Sequence, residues 1–221
     1  MATHLDLQEQ EQLDAVKSFW KQYGNLITWL LVLALGGFAA WNGWNWYQRE
    51  EADKAAAIFD ELERAAGGGD AQLVQRIFGD LTKQYPGTSF AQQGALIAAK
   101  ALADKGKPAE ALAALDWAAT NAAHEEFRSL ALLRKSGLLL DDKKYAEALA
   151  ALEAAKTPAF AALVAERRGD ILAAQGKPDE AIKAWQAAHE AMPPTEPLRR
   201  VVEIKLNAAG APPKPASGVS R

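Results

Sequence analysis

Lys107-Pro-Ala-Glu-Ala111, Lys144-Tyr-Ala-Glu-Ala148 and Lys177-Pro-Asp-Glu-Ala181 are one short phrase written three times, at spacings of 37 and 33 residues. Each copy opens the same apolar pattern: Ala111, Leu115, Ala118; Ala148, Leu152, Ala155; Ala181, Trp185, Ala188. Small, large and small residues at i, i+4 and i+7 share one helix face, with alanine where a second helix must come close. A turn precedes each copy, at Lys105-Gly106, at Asp141-Asp142-Lys143 and at Gln175-Gly176. Pro108 and Pro178 fall on the first helical position, where a missing N–H costs nothing.

Upstream of each turn lies another amphipathic helix, predicted over roughly 90–104, 125–140 and 160–175. The result is a helix–turn–helix unit of about 34 residues. A fainter copy comes first, with Val74, Phe78 and Leu81 ending at Tyr85-Pro86 and Gly67-Gly68-Gly69 in the turn position. No such unit buries its apolar face alone, whereas stacked units share a continuous core. The spacing resembles the tetratricopeptide repeat, and Gly169, Ala181, Trp185, Ala188 and Pro193 carry its pattern over one full unit. Ser136 stands where Gly169 stands in the unit before. Ser89 with Gln92 reads as a capping box, and Thr157-Pro158 as a cap with a first-turn proline. Residues 196–209 form a closing helix, and the Pro- and Gly-rich tail 210–221 is expected to be disordered.

Before the repeats, residues 26–46 read LITWLLVLALGGFAAWNGWNW without a charge. At about 1.5 Å per residue that stretch spans about 30 Å, the hydrocarbon thickness of a bilayer. Phe19, Trp20 and Tyr23 on one side and Trp41, Trp44, Trp46 and Tyr47 on the other are interface residues. A buried core helix usually stops short of this length. A cleaved signal peptide would begin short and basic, but the preceding segment is long and carries Asp6, Glu9, Glu11 and Asp14 against two lysines. An uncleaved anchor follows. Lys17 and Lys21 against Arg49 and Lys54 leave the positive-inside count tied, so the flanks do not orient it. Gly36, Ala40 and Gly43 share one helix face on which another membrane helix could approach. The alternative is that glycine is simply common in membrane helices.

The expected fold is therefore all-α: a tail over 1–24, a transmembrane anchor over 25–47, a tetratricopeptide-like solenoid over 48–209 with about four helix pairs and a closing helix, and the tail 210–221.

The whole chain resembles the YfgM family, the ancillary subunit of the bacterial SecYEG translocon. The resemblance is carried by residues 12–20 (QLDAVKSFW) before the anchor and by Trp41 to Tyr47 at its far end. Residues 160–170 (FAALVAERRGD), Ala181 to Trp185, and Lys205-Leu-Asn207 complete it. It implies a single-pass type II protein of the bacterial inner membrane, with a short cytoplasmic tail and its bulk in the periplasm. It also implies association with the Sec translocon and with a membrane-anchored chaperone of the PpiD kind, in the service of secretory clients. The first eight residues depart from the family, which weakens any role carried over for the tail. Two other readings stay open: a scaffold tethering an envelope assembly without client binding, and a cytoplasm-facing repeat adaptor.

Little here suggests chemistry. The chain has 221 residues, a formal charge of −3 and no cysteine, which removes disulfides, thiolate catalysis and cysteine-bound zinc, and offers no basic field for nucleic acid. His4, His124 and His189 lack metal-ligand spacing, and the latter two read as solvated helix residues. Gly67-Gly68-Gly69-Asp70 lacks the G-x-G-x-x-G spacing, and no G-x-S-x-G occurs. No enzyme, metal or cofactor is expected.

What remains is protein binding. In the register of Gly169, the first helices should line a concave wall with Gln93, Leu96 and Lys100, then Leu130, Leu133 and Gly137, then Leu163, Glu166 and Asp170. Leucines on such a wall suit apolar segments of a partner. They would equally suit packing beneath neighbouring units. The Lys/Asn/Arg clamp that some repeat domains use for C-terminal carboxylates is missing, since Leu96, Leu133 and Glu166 hold one of its positions.

Overall fold

A computed structural model describes residues 7–213, the side chains of 7–10 excepted. The tail residues 214–221, His4 and the first six residues of the predicted cytoplasmic tail lie outside the described residues. The chain divides into two compact units, 1–51 and 52–221. Every described element is helical. They are α1 (Leu7–Gly68), α2 (Ala71–Gln84), α3 (Ser89–Asp104), α4 (Pro108–Asn121), α5 (Glu125–Asp141) and α6 (Tyr145–Ala154). A single 3-10 turn at Pro158–Phe160 leads into α7 (Ala161–Ala174), then α8 (Pro178–Ala191) and α9 (Pro197–Ala208).

In the first unit, α1 contains the one stretch among the described residues long and apolar enough to cross a membrane. It is not a core helix. Trp29, Leu33, Leu35 and Phe38 are each about 60 % exposed or more, so the apolar surface faces outward all round.

In the second unit the same residue types face inward. Here α3 with α4, α5 with α6 and α7 with α8 form the successive hairpins, with α9 closing on α8, and from Ala52 on α1 gives Ala55, Phe59 and Leu62 to the core shared with α2 and α3. Phe59 meets Phe90 of α3 at 5.5 Å, and Phe78 of α2 meets Trp117 of α4 edge-on at 6.0 Å. The predicted face residues Ala111, Leu115, Ala118, Ala148, Leu152, Ala181, Trp185 and Ala188 are all buried. Ala155 differs: α6 stops at Ala154, and Ala155 is its half-buried cap.

The repeated lysines are the hinges of the hairpins. The N–H groups of Lys107, Lys144 and Lys177 return to Leu102, Leu139 and Leu172 at 2.9, 2.8 and 3.0 Å, closing the first helix of each pair. Their carbonyls then accept from Ala111, Ala148 and Ala181 at 3.0, 2.9 and 3.0 Å, opening the second. The residue before each lysine must turn left-handed. Gly106 and Gly176 do so at φ 68° and 76°, and Lys143 does so at φ 58° without being glycine. In that same turn, a hydrogen bond from Lys144 to Asp142 and the attraction of the carboxylate raise the amine's pKa above its ordinary value.

One expected cap is corrected, and another holds its position with a different use of its side chain. Helix α3 is capped by Thr88, one residue before the predicted Ser89, because Thr88 holds the extended backbone from which its hydroxyl accepts the N–H of Ala91 at 3.2 Å. Thr157 sits before its proline as expected, but its side chain is spent elsewhere. Its hydroxyl donates to the Glu125 carbonyl at 3.2 Å and lies 2.8 Å from the buried hydroxyl of Ser129, which accepts the Thr157 N–H at 3.2 Å. The 3-10 turn is thus tied to the start of α5.

Candidate protein-binding site

The first helices of the hairpins form a layer in which α5 neighbours both α3 and α7. An open groove of about 530 Å³ runs along it, and Lys100, Leu130, Leu133 and Gly137 of the predicted wall border it. Leu130 and Leu133 are half-buried, so each offers part of its surface.

The other five predicted residues fall differently. Gln93 is exposed but outside the groove, and Leu163 is half-buried outside it. Leu96 packs into the core at 6 % exposure. Glu166 and Asp170 are drawn together under α9, where Lys205 donates to Glu166 and to both oxygens of Asp170 at 2.6 and 2.8 Å. Trp185 adds its indole N–H to Asp170 at 3.1 Å. The acidic end of the wall is therefore sealed within the chain, and the apolar middle is open.

Three residues that matter were missed. Arg134 borders the groove and donates to the Leu96 carbonyl at 3.2 Å. Arg167 borders it too, and its buried Nε has no hydrogen-bond partner among the described residues. The two arginines are 33 residues apart, the repeat spacing itself, so extending the register by one position would have found them. Lys205 had no such signal, since its partners are fixed only by how α9 docks.

His189 is corrected as well. It is 9 % exposed, with Nε2 3.0 Å from Glu203 of α9, because α9 folds over the face of α8 that carries it. His124 is exposed and precedes α5. Among the described residues, no group of three or more His, Asp or Glu side chains is placed to hold a metal ion. On the first unit, Gly36, Ala40 and Gly43 are exposed, and a Cβ built on either glycine meets nothing within 4 Å.

Comparison with known proteins fits this architecture. Residues 17–211 match the family described as tetratricopeptide repeat-like domain. A protein of Neisseria gonorrhoeae named ancillary SecYEG translocon subunit is 34 % identical, over 94 % of this chain and 99 % of its own length. Proteins of the same name from Escherichia coli and Haemophilus influenzae are 25 % and 26 % identical over 90 % and 91 % of this chain, which spans 95 % and 97 % of them. The aligned length takes in both the apolar helix and the repeats, and on that ground the chain belongs to the tetratricopeptide repeat-like family of ancillary SecYEG translocon subunits.

Proposed function

We propose that this protein is anchored in the bacterial inner membrane by α1, carries its repeats in the periplasm, and binds other proteins beside the Sec translocon. The observation that supports this best is the extent of the likeness. Relatives named for the SecYEG translocon match across the outward-facing apolar helix and every hairpin, so anchor and binding surface come as one arrangement. The second partner in this reading is a membrane-anchored chaperone of the PpiD kind, and the clients are secretory or envelope polypeptides.

Physics gives each unit its part. The apolar helix keeps the chain at the bilayer and raises its local concentration near membrane partners. The Gly36, Ala40 and Gly43 face is where a second membrane helix would approach. The half-buried leucines of the groove offer apolar area to a client segment, with Gln93 and Leu163 available beyond it on α3 and α7, while Leu96, Glu166 and Asp170 hold the wall in shape.

Purification in mild detergent should bring down SecY, SecE or SecG together with the chaperone. Recovery of neither would sink the assignment. Alkaline phosphatase fused after Arg221 should be active, since that enzyme folds only where disulfides form. An inactive fusion would instead establish a cytoplasm-facing adaptor.

A further inference from the structure

Resting on that reading of the groove as the client surface, we infer that its occupant is an extended apolar polypeptide segment carrying one acidic side chain, whose carboxylate is met by Arg167.

The apolar half of this recognition comes from Leu130 and Leu133, which present half-buried surface to the groove. The polar half comes from an unanswered charge. Arg167 reaches from α7 across to α5, where its Nη1 lies 3.4 Å from the point a Cβ on Gly137 would occupy. The guanidinium thus lies against the backbone of α5 at contact distance. Yet the buried Nε of this guanidinium has no hydrogen-bond partner among the described residues. Buried donors are nearly always paired, so an arginine left short of an acceptor beside a groove favours one from outside, met through its Nη groups.

The surrounding charges point the same way. Lys100 is tied to Asp104 at 2.5 Å, and Arg134 has spent one N–H on the Leu96 carbonyl. Asp141 also borders the groove, but it is exposed to water, which screens it, whereas Arg167 is half-buried. At the neighbouring stretch of the wall the acids Glu166 and Asp170 are both drawn to Lys205 of α9. A free C-terminus is the poorer occupant, because Leu96, Leu133 and Glu166 stand where a terminal-carboxylate clamp needs its polar residues. An aspartate or glutamate within an apolar run satisfies both halves of the site.

The test uses the full chain in lipid nanodiscs, with empty nanodiscs as blank, and fluorescence anisotropy of the labelled peptide SLADLAS and its versions with Asn or Lys in place of Asp. The Asp peptide should bind about fivefold or more tightly than the Asn peptide, as a charge-assisted pair does over a neutral one. Arg167→Gln should erase that ratio, so that the Asp and Asn peptides bind the variant equally. Gly137→Leu should fill the groove and weaken both. Equal affinity for the Asp and Asn peptides, a ratio that survives Arg167→Gln, or a preference for the Lys peptide would overturn the inference and leave the groove's role in binding apolar segments standing. Failure of all three peptides to bind, or binding indifferent to Gly137→Leu, would remove that role along with it. Association with the translocon is read separately by co-purification.

Discussion

The hairpins α5–α6 and α7–α8 are written in the same phrase and solve the same packing problem with different sizes. In α7–α8 the large residue is Trp185, and Gly169 faces it so closely that an added Cβ would stand 2.4 Å from the indole. In α5–α6 the large residue is Leu152, and Ser136 takes the glycine's place, its buried hydroxyl turned back to the Leu133 carbonyl at 2.7 Å. The turns differ in the opposite sense: Gly176 is at ease with φ 76°, and Lys143 is held at φ 58°. Helix α8 has 14 residues, α6 only 10, and the shorter hairpin is bolted to its successor through Thr157 and Ser129 instead. A repeat therefore specifies a sum of volumes across its two helices, and individual residues can trade against one another as long as the sum is kept.

The difference can be broken most severely at the indole. Trp185→Ala should destabilise the repeats by about 3–5 kcal/mol, as removal of a buried Trp does, with Asp170 losing a donor besides. Thermal melting of the full chain in detergent, followed by circular dichroism, would read it. Gly169→Ala should cost about 1–3 kcal/mol by overpacking. The sharper form combines Gly169→Ala with Trp185→Leu, which imitates the neighbouring hairpin. The pair should be less damaging than the two single costs added, and strict additivity in that cycle would refute volume exchange.

Thr157→Val keeps the shape and removes the hydroxyl shared with Ser129 and the Glu125 carbonyl. About 1–2 kcal/mol should be lost because Ser129 is wholly buried. The counterpart loss should be absent from α7–α8, which has no such link. The smallest effect has the opposite sign. Lys143→Gly should stabilise by about 0.5–1 kcal/mol by relieving the left-handed turn. A neutral or destabilising outcome would mean that the contact of Lys144 with Asp142 depends on the strained backbone.

Much of this was open to reading from the residues in order. The small–large–small triplets, the first-position prolines and the glycines before Lys107 and Lys177 act within a turn or two of helix, so their spacing alone gives the hairpins. The outward-facing span was equally plain, because length and composition decide it. Ser89 was a near miss, since Thr88 and Ser89 are chemically equivalent as caps and only the backbone angle chooses between them. Thr157 was placed correctly but not understood, because its partners lie in α5. The wall residues were a harder case. The register gave Leu130, Leu133 and Gly137 on the open stretch, and it had no means of knowing that Leu96 is buried or that α9 covers Glu166.

Glu166 and Arg167 hold the matter in two adjacent letters. The sequence by itself determined that both stand on a repeat's first helix, because a local period of 3.6 residues and a repeat of about 34 place them there. It could not determine that the acid is closed by Lys205 from α9 while the buried Nε of the arginine beside it has no partner among the described residues. The field around a charge comes from whatever segment folds against it, and only the docked tertiary structure brings that segment near.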